Sequence, residues 1–173
     1  VGTAVKKFVA ARADDEWVQW VQQVGVAEWY SMPGNNSVVV GSRMSLEKAV
    51  KSVHEDDGLT TIVLMEGKYP IDGNVLEIAS AMNIVGDPEV PKEEIVVVGG
   101  IWFDNGIQGN CHLQHLTLRE AKHSGVCGDS LFTMEDVVVE QSDGAGVVAY
   151  GTGVVGRCTN VEVRQCGGSG VAA

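Results

Sequence analysis

Residues Gly151 to Gly156 read GTGVVG and satisfy G-x-G-x-x-G, and GAGVVA (Gly144 to Ala149) satisfies its alanine-ended variant. A dinucleotide site needs that turn to open a helix whose N-terminal amides face the pyrophosphate. Here the glycines are followed by the β-branched pairs Val147-Val148 and Val154-Val155 and then by turn residues, so no helix is expected and no nucleotide. Cys111, His112 and His115, with His123 and Cys127 nearby, supply enough donors for zinc. A closed zinc site needs four convergent ligands, and adjacent residues on an extended strand point to opposite faces. Cys111 and His112 are therefore expected to diverge, and these residues read as wall and turn positions, with no metal and no cofactor. Glu140 and Glu162 are the carboxylates expected among the outward residues of the stacked strands, and Asp136 and Asp143 flank the Glu140 strand at its opposite ends. If Arg119 and Arg164 lie on either side of it, Glu140 stays ionised and is a poor proton donor. No residue is assigned a catalytic role, and patterns of metalloproteases, phosphate-binding loops and serine-nucleophile elbows are absent.

The elements that position these residues follow from an internal repeat. LQHLTLREAKHSGV (Leu113 to Val126), MEDVVVEQSDGAGV (Met134 to Val147) and CTNVEVRQCGGSGV (Cys158 to Val171) align without a gap, their ends 21 and then 24 residues apart. A period in this range signals stacked units. Within each copy Leu116 and Leu118, Val137 and Val139, Val161 and Val163 alternate with Thr117, Val138 and Glu162, the period of a strand. Stacking the copies predicts inward columns of these six residues, and an outer ladder of Arg119, Glu140 and Arg164 with opposite charges adjacent. Leu113, Met134 and Cys158 form an apolar column, His115, Asp136 and Asn160 a polar one at a turn, and Ala121, Ser142 and Cys166 a column of small residues. Gly125, Gly146 and Gly170 mark a position that needs either positive φ or close approach of another backbone.

A strand, a turn, a short second strand and another turn in about 22 residues is the economy of a parallel β-helix. The copies resemble coils of the right-handed parallel β-helix, the pectate-lyase-like superfamily, and are similar to the short-coil β-helical domains of F-box receptors and of the SHC-binding protein family. The resemblance covers about Ser42 to Ala173 and implies an all-β solenoid; it is specific for fold and does not carry activity. Enzymes of that superfamily converge carboxylates, often with Arg or Lys, on an outer face. The signatures of polygalacturonases, pectin esterases, pectate lyases and alginate epimerases are not found in this chain, and Asp87-Pro88-Glu89 matches the last only superficially, in a loop.

Domain limits follow from the same pattern. Residues 1–37 read as a helical arm and linker, with Val5, Val9, Ala13, Trp17, Trp20 and Val24 on one helical face and SMPGNNS as the loop behind it. Residues 38–173 read as the β-helix: a strand at Val38 to Val40, a helix over 45–55 that caps its N-terminal end, then three to four coils. Ser45 is the expected N-cap and Leu46, Ala49, Val50 and Val53 the expected buried stripe. The last coil is expected to end uncapped, leaving an edge for further coils or another chain.

The net charge of −11, from 23 acidic and 12 basic residues, argues against nucleic acid, which needs a concentrated basic surface, and makes a polyuronate an awkward ligand. No run of 18 apolar residues is present, so no transmembrane segment is expected. The four cysteines show no CxxC spacing and are expected to be thiols, favouring an intracellular location. The expectation is a non-catalytic scaffold or protein-interaction module within a larger protein or assembly. Other protein chains are its expected partners, through Trp17, Trp20 and Trp29 on the arm and Arg119, Glu140 and Arg164 on the stacked face. The alternative is a fragment of a carbohydrate-active enzyme of lyase, hydrolase or epimerase type.

Overall fold

The structure, a computed structural model, describes residues 36–41, 45–151 and 153–172. The arm and its three tryptophans, Trp17, Trp20 and Trp29, lie outside the described residues. Among the described residues there are fourteen strands and one α-helix: β1 (Ser37–Val40), α1 (Leu46–Glu55), β2 (Thr61–Leu64), β3 (Gly67–Ile78), β4 (Asn83–Gly86), β5 (Ile95–Phe103), β6 (Cys111–Gln114) and β7 (Thr117–Arg119) come first. The later coils supply β8 (Val126–Gly128), β9 (Phe132–Glu135), β10 (Val138–Glu140), β11 (Val147–Ala149), β12 (Gly156–Thr159), β13 (Glu162–Arg164) and β14 (Val171–Ala172). Each strand pairing is parallel. The chain is an all-parallel β-solenoid of about six turns.

The first face is the six-stranded sheet β1-β2-β4-β6-β9-β12. The long strands β3 and β5 turn a corner and serve two faces at once: the first half of β5 pairs β7, which continues to β10 and β13, and its second half pairs β8, which continues to β11 and β14. The stack thus reaches further toward the N-terminus than a count from the glycine-ended copies gives. The early rungs escape that count because β3 and β5 run through a corner that later rungs break into two short strands.

Alternation decides which side chains fill the lumen. On the first face Ile62, Ile84, Leu113, Met134 and Cys158 are in register; on the second Tyr69, Val97, Leu118, Val139 and Val163; on the third Leu76, Ile101, Val126, Val147 and Val171. From Ile62 to Met134, Tyr69 to Val139 and Leu76 to Val147 these side chains are buried. Each buried aliphatic side chain contributes about 1.5–3 kcal/mol by leaving water, so one misregistered strand would forfeit a whole rung. Leu116 and Val137 are buried in the same core, and Val161 and Val163 pack against it half-covered. The six inward residues therefore point where their spacing predicts. In the last coil Cys158 and Val171 are exposed, Val171 by 65%.

α1 buries Leu46, Ala49, Val50 and Val53, one side of a helix, against β1, β2 and β3. Its N-cap Ser45 accepts a 3.3 Å hydrogen bond from the Lys48 amide, and the Asp72 amide donates to Glu47 Oε1 at 2.9 Å, tying the helix to the bulge in β3.

The corners correct one part of the glycine reading. Positive φ falls on His115, Asp136 and Asn160 (55°, 55° and 53°) and again on Glu120, Gln141 and Gln165 (59°, 56° and 55°), in register, and not on Gly125, Gly146 or Gly170. Gly125 and Gly146 answer to close approach, and Gly170 in the last coil to neither: a Cβ on Gly146 would stand 2.2 Å from Val163 Cγ1 and 2.6 Å from the Gly170 carbonyl oxygen. Left-handed backbone at Asn and Asp is tolerated because a short polar side chain bonds locally. At this corner the bonds run between coils instead.

Candidate functional site: the outer faces of the stack

On the second face the outward residues between Leu118 and its neighbours are Arg119, Glu140 and Arg164, directly opposite one another. Arg119 Nε donates to Glu140 Oε1 at 2.5 Å, and Arg164 Nε to Oε2 at 2.6 Å. Arg164 also donates to Glu162 Oε1 at 2.9 Å. The carboxylate is saturated by two guanidiniums and only 5% exposed, although it points away from the lumen. Burial alone would push the Glu140 carboxyl up, but the hydrogen bonds and charges of Arg164 and Arg119 outweigh it and hold the group below its ordinary value. A carboxylate held in its charged form, with each oxygen accepting from a guanidinium, is a poor proton donor.

Beside this ladder the outer surface is not open. Val96, Thr117 and Val138 alternate outward, yet Thr117 and Val138 are each 1% exposed. Thr117 lies beneath the loop between β4 and β5, whose single 3-10 turn, Lys92–Glu94, contacts β5 and β7. Thr117 Oγ1 donates to the Lys92 carbonyl at 2.9 Å. Lys92 Nζ donates to Asp136 Oδ1 at 2.7 Å, Asn160 Nδ2 donates to the same oxygen at 2.6 Å, and His115 Nδ1 sits 2.8 Å from Asp136 Oδ2. His115 Nε2 is 2.8 Å from the Val90 carbonyl oxygen. The imidazole therefore bridges the Asp136 carboxylate of the next coil and the Val90 carbonyl of the loop. Burial pushes Asp136 up, but Lys92 and His115 together hold it below its ordinary value. The turn column thus pins a strap over the second face. Sequence reasoning found the column and missed the strap, because Lys92 and Val90 sit far from it along the chain.

The zinc donors do not gather. Cys111 is buried on the lumen side of β6 while His112 faces out, its Nδ1 2.7 Å from Thr133 Oγ1 and its Nε2 3.2 Å from Gln114 Oε1. Glycine-rich GTGVVG leads into strand β12 at Gly156, not into a helix. Asp87 accepts from the Glu89 amide at 2.9 Å and serves as a turn residue.

The third face carries a cavity of about 270 Å³ whose wall includes Trp102, Tyr150, His123, Ser124 and Cys127. Ile101 and Phe103 are inward and 1% exposed, so Trp102 between them must point out, and it is 41% exposed; Tyr150, just beyond β11, is 49% exposed. Register puts Glu77 on one side of Trp102 and Cys127 on the other. The indole Nε1 donates to Asp129 Oδ2 at 3.3 Å. Burial, with a smaller push from Asp129 and a partial offset by Ser124, drives the Cys127 thiol up, so it is not an activated thiolate. The sequence signal for this site was an aromatic residue at an outward step of the alternation.

No family model matches this chain, and no curated protein or solved structure matches it.

Proposed function

We propose that this chain is a non-catalytic β-helical scaffold or protein-interaction module, working as part of a larger protein or assembly. Its coils are read as right-handed and of the pectate-lyase-like kind, with α1 as the plug of the first coil. The observation that supports the reading best is the clamp on Glu140: the carboxylate most favourably placed for acid-base work is neutralised by two arginines and covered. Such a face presents a fixed surface and no reactive group. Among the described residues no strand pairs the far side of β12, β13 and β14. An unpaired parallel edge with exposed apolar side chains is a template for another strand. Other protein chains are proposed as its partners, with the Trp17, Trp20 and Trp29 arm as one contact. Four free thiols favour an intracellular setting.

The test is an assay of the 1–173 chain on polygalacturonate and alginate, with and without calcium. No cleavage or epimerisation is expected. Turnover that is lost in Glu140→Gln would establish the alternative, a carbohydrate-active enzyme fragment.

A further inference from the structure

The geometry points to the cavity beside Trp102 as a binding site for the side chain of an arginine on a partner peptide. This rests on the reading of the chain as an interaction module and supplies the chemistry of what it would take. The cavity is about 270 Å³, at the lower edge of the roughly 300–1,000 Å³ typical of small-molecule pockets, a size for one side chain rather than for a cofactor. Its wall includes two aromatic residues, Trp102 from one rung and Tyr150 from beyond the next but one. The negative face of an indole or phenol ring attracts a cation, and a planar guanidinium stacks on it.

The charges around the ring select further. Asp129 holds the indole N–H at 3.3 Å, and Glu77 stands on the neighbouring strand directly opposite Trp102. Both carboxylates neighbour Trp102 without belonging to the cavity wall, in a chain of net charge −11, so their field disfavours an anionic ligand and favours a cationic one. The hydrogen bond to Asp129 also spends the only donor Trp102 has, which removes the contact a sugar hydroxyl would seek from it. His123 and Ser124 also belong to the wall, and a neutral imidazole or a hydroxyl can accept from guanidinium N–H groups. Arginine satisfies each of these features: an apolar stem for the cavity, a flat cation for the rings, and donors for the acceptors.

The experiment follows the Trp102 indole N–H by NMR, its cross-peak identified by its loss in Trp102→Phe. N-acetyl-arginine amide is titrated against N-acetyl-citrulline amide, which has nearly the same shape and no charge, and against galacturonate and glucose. Saturable shifts are expected with the arginine probe, at an affinity about three- to fivefold above that of citrulline, the range of a half-exposed cation–π contact. Asp129→Asn keeps an oxygen for the indole and removes the charge, and should erase most of that preference without unfolding the face. Equal binding of citrulline, preferential binding of either sugar, or no shift at Trp102 would each overturn the proposal. The polysaccharide assay on the same sample separates the two levels. Turnover there overturns the module reading, whereas no turnover and no arginine shift overturns the pocket alone.

Discussion

Ser142 is the middle member of a column of small residues, and its hydroxyl is buried without a hydrogen-bond partner. Its counterpart one coil earlier is Ala121, also buried, so a methyl group fits this corner. Removing an unsatisfied hydroxyl removes its desolvation cost, and Ser142→Ala should stabilise the protein by about 1 kcal/mol, read as a higher urea midpoint at unchanged slope. Glu140 makes the opposite case. Its folded-state value and that of Asp136 lie below their ordinary ones. Such groups contribute in full above the ordinary carboxylate range, and the contribution is lost as pH falls through the folded-state values. Stability should therefore drop on acidification below about pH 4. Glu140→Gln should cost about 1–2 kcal/mol at neutral pH, a charged hydrogen bond discounted for the half-exposed arginines, and the difference from the parent should vanish in acid. Urea midpoints across a pH series check both statements.

At the scale of the coil, the glycines that end the repeats are distinguished by what lies above them. A methyl on Gly146 would strike Val163 Cγ1 and the Gly170 carbonyl, whereas one on Gly170 meets only Val163 Cγ1 at 3.9 Å. Gly146→Ala should cost about 1–3 kcal/mol by overpacking and Gly170→Ala should be nearly neutral, a contrast that thermal unfolding of the two variants would read directly. Much of this level was legible in the sequence. The alternation of Val137 and Val139 with Val138, and the spacing that sets Arg119, Glu140 and Arg164 in one line, follow from period two plus the repeat, which are local facts. The left-handed corners at His115, Asp136 and Asn160 were not, because attention falls on glycine while the cost of that backbone is offset by bonds between coils. Nor was the strap over Thr117, since an outward step looks the same whether or not a distant loop lies over it. The Trp102 cavity was only half legible: alternation turns the indole outward, but Tyr150 reaches it through a corner that no pattern marks.

For the whole molecule, a stack in which each rung touches only its neighbours distributes stability along its length. The middle rungs, closed on both sides, should hold their amides longest, and β12–β14 should exchange first; protection about tenfold or more lower there than in β6–β8 is expected from hydrogen exchange. The Arg119, Glu140 and Arg164 ladder adds a rule about changes of length. Cutting out Asp136 to Thr159 joins Glu135 to Asn160, and register and corner geometry both survive, because Glu135 pairs with Thr159 and the corner residues share one φ. The charges do not survive, since Arg119 would then face Arg164. Like charges directly opposite are unfavourable by some tenths of a kcal/mol or more, so the shortened protein should be rescued in part by Arg164→Glu, measured as recovered melting temperature. Insertions and deletions of coils on this face obey parity: two rungs can be gained or lost together with the alternation intact, and a single rung cannot.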